Sequence, residues 1–250
     1  MNQASKLSYA SKKSFDYTSK ELGLFIITTA VSAAIAFLFL GLAGYVSYGD
    51  VEGFIITLFF FGLLYFVFLT GQKTMALFLG CNATFTIWRF GPFVALFVSF
   101  YTLALFYPHF MLPLLYLGTF HLDVIPRLRL GKFRHAIGMK DLFIVGVAGP
   151  LALILFSLII LQPLFLLTGS EFFKAGIYIT ALILFFSSLP LPYSNGANIF
   201  MKSRWFWLFT FLFSIFFLLL LLLFNWVSYV LALLLAIAVI FILRIYIKDR

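Results

Sequence analysis

Charge is scarce in this chain, and its distribution is more telling than its amount. Only 10% of the 250 residues are Asp, Glu, Lys or Arg. Six stretches, residues 22–49, 53–72, 90–108, 142–170, 175–201 and 205–243, contain no Asp, Glu, His, Lys or Arg. Each is close to or beyond the roughly 20 apolar residues with which a helix crosses a bilayer. Lipid rejects charge, so the stretches read as membrane spans. Proteins that pump protons or carry ions keep ionisable groups inside their spans, and these spans are nearly blank. Cysteine is also scarce. The single Cys81 excludes an intramolecular disulfide and a thiolate metal cluster.

A secretory signal is missing as well. Residues 1–21 are rich in Ser and Lys with no early apolar core, and read as a mobile polar tail ahead of one transmembrane domain, residues 22–250. What is present is hydrocarbon: 64% of residues are hydrophobic and 36 are Phe. Phe packs well in lipid but offers no polar handle. The net charge of +9 fits a membrane protein's basic loops better than a nucleic-acid partner.

Basic residues set the expected orientation, because Lys and Arg collect in loops kept in the cytoplasm. Lys6, Lys12, Lys13 and Lys20 place the N-terminus inside, and Asp50 and Glu52 face out. Lys73 and Arg89 face in again, as do Arg127, Arg129, Lys132, Arg134 and Lys140, a segment suited to anionic lipid. Residues 90–125 must therefore enter and leave on one face, as a re-entrant or interfacial hairpin interrupted by Pro92, Pro108 and Pro113. The run 205–243 would be roughly 58 Å as one helix, twice the hydrocarbon thickness, so it must turn near Asn225 and Trp226. The expectation is an all-α polytopic membrane protein: about six transmembrane helices, the hairpin with a short strand, and both termini cytoplasmic. The last helix pair occupies residues 205–246.

Three short motifs follow one another in order. Span two carries Phe68-Leu69-Thr70-Gly71-Gln72 and ends at Gly80. Span three opens with Ala148-Gly149-Pro150-Leu151, and span four ends in Leu189-Pro190-Leu191-Pro192-Tyr193-Ser194-Asn195-Gly196. Over roughly residues 50–200 this resembles the site-2 protease family of intramembrane zinc metalloproteases. That family carries H-E-x-x-H, then A-G-P-L-x-N, then L-P-x-P-x-x-D-G. The resemblance puts the first zinc-binding His on Phe68, the catalytic Glu on Leu69 and the second His on Gln72. The Asp ligand falls on Asn195, and the Asn of A-G-P-L-x-N on Leu153.

All five positions have changed type. Zinc needs imidazole, thiolate or carboxylate donors, usually three at a catalytic site. Phe68 and Leu69 offer none, and the neutral amides of Gln72 and Asn195 suit zinc poorly. Without the metal no water is acidified, and without a carboxylate at position 69 no general base remains. The expectation is lost zinc, no cofactor and no reaction. Phe68 would fill the vacated space while Leu69 and Asn195 remove charges that would be costly unpaired. Gln72 and Asn195 are expected to act as helix caps or interhelical hydrogen bonds.

Other residues carry secondary expectations. His109, His121 and Asp123 are the remaining candidates for a metal site, since H-x-D on an extended segment shares a face. Residues 83–88 alternate in the manner of a strand. Its Thr84, Phe85, Thr86 and Ile87, together with Gln72 and Asn195, are candidates for holding a client peptide by strand addition. The functional expectation is a pseudoprotease that binds or regulates membrane-embedded or juxtamembrane segments. The alternatives are a transporter or channel for a small neutral or lipidic molecule, and an active metalloprotease with replacement ligands.

Overall fold

The computed structural model describes residues 17–42, 51–88, 90–106, 114–115, 117–125, 137–191, 194–221 and 227–248, and most of these are helical. Five helical segments are long and apolar enough to cross a membrane: Ser19–Phe39, Val51–Phe78, Met139–Thr168, Glu171–Ser188 and Arg204–Leu221. The chain is thus an integral, multi-pass membrane protein. The run 205–243 is divided as expected into α8 (Arg204–Leu221) and α9 (Val227–Lys248), which pack on each other. The expected turn itself lies outside the described residues. Among the described residues the apolar part of α9 is Val227–Ile242, so five of the six expected spans meet the length criterion there.

Helix α2 (Val51–Phe78) organises the rest and packs against α1 (Ser19–Leu42), α4 (Met139–Phe156), α6 (Glu171–Ser188) and β1 (Cys81–Thr86). Its buried residues Phe60, Phe61, Leu64, Tyr65, Phe68, Leu69 and Gln72 recur every three or four positions, which places them on one stripe of a 3.6-residue helix. Apolar surface gives no net drive for helix association in lipid, so close packing must supply it. Small residues do this. A Cβ on Gly71 would lie 2.6 Å from the Ala152 Cβ, and one on Gly176 would lie 2.8 Å from the Phe60 ring.

Residues 17–21, counted with the polar tail in the sequence, belong to the fold. Helix α1 starts at Ser19, and Tyr17 hydrogen-bonds through its hydroxyl to Thr70 of α2 at 3.2 Å.

The strand is displaced from its expected position: β1 covers Cys81–Thr86, so Ile87 and Trp88 fall outside it. It pairs antiparallel with β2 (Thr119–Val124), from Cys81 opposite Val124 to Thr86 opposite Thr119. That last pair brings the two ends of residues 87–118 side by side. The excursion includes α3 (Gly91–Phe106), whose 16 residues rise only about 24 Å. The expected hairpin falls on this excursion, of which residues 89, 107–113 and 116 lie outside the described residues.

Two further departures have local causes. Residues 139–168 form one apolar span, but Ser157–Leu161 is a π turn between α4 and α5 (Gln162–Thr168). Pro163 has no N–H and crowds the carbonyl four residues back, and the wider turn relieves this. The run 175–201 is also broken. Helix α6 stops at Ser188 before Pro190, and the chain restarts as α7 (Asn195–Lys202).

Candidate functional site

The five positions singled out by the resemblance lie on α4 and on two helices that each pack against it. Phe68, Leu69 and Gln72 on α2, Leu153 on α4 and Asn195 at the start of α7 are each no more than 2% exposed. Helix α4 lies between the other two, and its glycines let them approach. A Cβ on Gly149 would sit 2.8 Å from the Gln72 Cγ, so the Gln72 side chain lies flat on that turn. One turn away, a Cβ on Gly146 would sit 3.4 Å from Ile199 and 3.6 Å from the Asn195 carbonyl oxygen. Leu153 follows Gly149 by four residues and so continues the same face.

The buried stripe of α2 that carries Gln72 is largely aromatic. The Phe68 ring stacks on Tyr65 at 6.1 Å, Tyr65 stacks on Phe25 at 5.6 Å, and Phe85 of β1 meets Tyr65 edge-on at 6.0 Å. The Tyr65 hydroxyl donates to the Leu117 carbonyl. A tight backbone turn presents Asn195. Ser194 caps α7 by accepting from the Ala197 N–H at 3.2 Å and donates to the Leu189 carbonyl at 2.7 Å. A Cβ on Gly196 would run into the carbonyl oxygens of Ser188 and Leu189. Gly196→Ala should therefore cost about 1–3 kcal/mol by overpacking a site whose neighbours are backbone. Thermal unfolding of the purified variant measures it, and an unchanged midpoint would show that the turn relaxes.

The amides do not play the expected parts. The cap of α7 is Ser194 and not Asn195, and Gln72 is well inside α2, which continues to Phe78. Neither Gln72 amide atom has a hydrogen-bond partner among the described residues, and the Asn195 Nδ2 has none either. A buried unpaired amide is destabilising by roughly 1–3 kcal/mol. Gln72→Leu, of similar size and with nothing to satisfy, should raise the unfolding midpoint. A clear fall would mean that the amide is engaged by a bound group.

Next to this cluster is a buried ion pair. Lys73 Nζ lies 3.4 Å from Glu21 Oε2, both side chains are nearly inaccessible, and the ammonium stands 4.0 Å above the Tyr17 ring. Burial pushes the Tyr17 phenol above its ordinary value, so it remains a neutral hydroxyl and ring face. Glu21 also accepts from the Phe85 N–H at 2.8 Å and the Thr18 N–H at 2.9 Å. The sequence reading assigned Lys73 to a span boundary and Glu21 to the tail. The apolar residues Met75 to Phe78 after Lys73 were the available hint that α2 continues past it.

The client candidates on β1 are engaged internally. Thr84 and Thr86 donate to the carbonyls of His121 and Thr119 at 3.4 and 3.3 Å. Phe85 is buried, with its outward N–H on Glu21. In this ladder Ile125 donates to Gly80, so residues 119, 121 and 123 face β1, and Phe120 and Leu122 direct their backbone groups away from it. Asn198 of α7 donates to the Thr119 hydroxyl at 3.3 Å, which ties this sheet to the helix carrying Asn195.

His121 and Asp123 do share a face of β2. They are 70% and 60% exposed and lie 3.6 Å apart. Among the described residues no three His, Cys, Asp or Glu side chains converge for a metal. His109 lies outside the described residues, as do Arg127, Arg129, Lys132 and Arg134 of the basic segment. No protein-family model matches this chain, and neither a curated protein nor a solved structure is similar to it.

Proposed function

We propose that this protein holds membrane-embedded or juxtamembrane segments of client proteins without cutting them, on a scaffold related to the site-2 proteases. The supporting observation is that five residues chosen from three separate motifs are all buried, on α4 and on the two helices that pack against it, and that none of them offers a donor suited to zinc. Three hydrocarbons and two neutral amides do not fit zinc, so no hydrolytic step is assigned. The sheet beside the cluster gives the holding role a means. An extended client segment lies along the exposed His121 and Asp123 of β2, because Phe120 and Leu122 are buried and the outer edge of β1 is already engaged at Phe85.

Photoreactive residues introduced at His121 and Asn82 in native membranes test this. The expected product is a crosslink to intact polypeptide at His121 and little at Asn82, whose backbone faces β2. Stoichiometric zinc in the purified protein, together with cleavage of a membrane peptide, would overturn the reading.

One observation favours the transporter alternative. The π turn in the span of residues 139–168 brings together buried Ser157, Gln162 and Tyr229, with Ser157 and Tyr229 hydrogen-bonded at 2.6 Å. Saturable flux in liposomes would promote it. An active protease using His121 and Asp123 finds less support, since both are exposed on the sheet and no third His, Cys, Asp or Glu converges on them among the described residues.

A further inference from the structure

Between α2 and α4, on the face turned away from Gln72, lies an open groove of about 740 Å³. Its walls include Phe66, Thr70 and Phe78 on one side and Ile144, Leu151 and Leu155 on the other. The threonines in it are satisfied within the protein. Thr74 donates to the Thr70 carbonyl at 2.7 Å, and Thr70 pairs with Tyr17. The groove therefore asks its occupant for hydrocarbon only.

Two features choose among hydrocarbons. From Phe66 to Phe78 the groove is about 18 Å long, close to half of the roughly 30 Å bilayer core, which is one leaflet. Its small residues are used up by the contact between α2 and α4, where Gly71 meets Ala148 and Ala152, leaving bulky ridges on both sides. A transmembrane helix, about 10–12 Å across, packs best on a surface of small residues. A flexible chain fits between ridges.

The end of the groove near Phe78 and Ile144 is the basic end of the molecule. Lys140 is exposed one turn before Ile144 on the same stripe of α4. Lys20, Lys202 and Arg204 are exposed at the same end, since the first turn of α1 is fixed beside Lys73 and α7 packs on Gly146. Of the acids there, Asp141 is turned to the Gly138 N–H and Glu21 is buried against Lys73, while Asp123 is exposed on β2.

We propose that this groove is a binding site for an anionic phospholipid, its acyl chain between α2 and α4 and its headgroup at Lys140. The site is independent of the client reading. The full-length protein is tested in nanodiscs of phosphatidylcholine with phosphatidylglycerol, with retained lipid counted by native mass spectrometry. Phosphatidylglycerol should be retained in preference. Lys140→Gln should reduce that preference about five-fold, and Leu151→Trp, a change at an exposed position, should remove retained lipid of both kinds. Equal retention of the two lipids, or full retention by Leu151→Trp, would overturn the site. A photoreactive residue at Leu151 should label lipid in native membranes, and a polypeptide crosslink there would assign the groove to a partner helix instead. The Lys140→Gln arm stands even if the Trp variant fails to fold.

Discussion

Lys73→Met should destabilise the protein by about 3–5 kcal/mol, the usual consequence of leaving a buried charge without its partner. The carboxylate of Glu21 would keep the N–H groups of Thr18 and Phe85 but lose the Lys73 ammonium, 3.4 Å away. Water is not near enough to replace it, since Glu21 is 4% exposed and Lys73 2%. Removing both charges is a different experiment. Glu21→Leu with Lys73→Met leaves no unpaired ion, and apolar replacements of buried pairs are often neutral or stabilising. The double variant should therefore recover most of the loss, giving a large coupling energy in a double-mutant cycle. Glu21→Gln separates the two duties of the acid, because its amide oxygen still accepts from Phe85 while the ion pair is gone. Single effects that simply add, within about 0.5 kcal/mol, would show that the charges do not act as a pair.

This ion pair also marks the limit of what the sequence discloses. Charge-free stretches locate the spans because the bilayer penalises charge residue by residue, and that rule is local. Helices α1, α2, α4, α6 and α8 lie where those stretches do. The rule fails where a charge is compensated from far along the chain. Glu21 and Lys73 are separated by 52 positions, so each alone looks like a span boundary. The sheet is a similar case. Alternation in residues 83–88 signals a strand, but its displacement to Cys81–Thr86 is fixed by pairing with Thr119–Val124, which alternation on one strand does not reveal. Pro163 and Pro190 interrupt helices inside charge-free stretches, because a proline breaks backbone hydrogen bonding without adding charge. The buried cluster is different again. Nothing in the composition of Phe68, Leu69, Gln72, Leu153 and Asn195 suggests that they belong together, and only the resemblance groups them; the structure shows each of them buried.

Their shared burial leads to the strongest demand the proposed ancestry makes. Phe68→His, Gln72→His and Asn195→Asp, introduced together, should create a zinc site. His at positions 68 and 72 would stand one helical turn apart on the buried stripe of α2, and Asp at 195 would face them across Gly146 and Gly149 of α4. Three donors of these types satisfy a catalytic-type zinc ion with one position left open. Without metal the variant should be fragile, since a carboxylate and two imidazoles would replace an aromatic ring and neutral amides in a dry interior. Zinc should reverse this. At a free concentration about a thousand times its dissociation constant a ligand stabilises by ~4 kcal/mol, and for a chain of this size each kcal/mol is worth roughly 2–4 °C. The unfolding midpoint should then rise by about 10 °C with zinc, with one zinc per chain by elemental analysis, and leaving Asn195 unchanged should abolish most of the rise. No retained metal in a variant that still folds would mean that the three positions do not point at a common centre. The likeness to the site-2 proteases would then be one of short motifs alone.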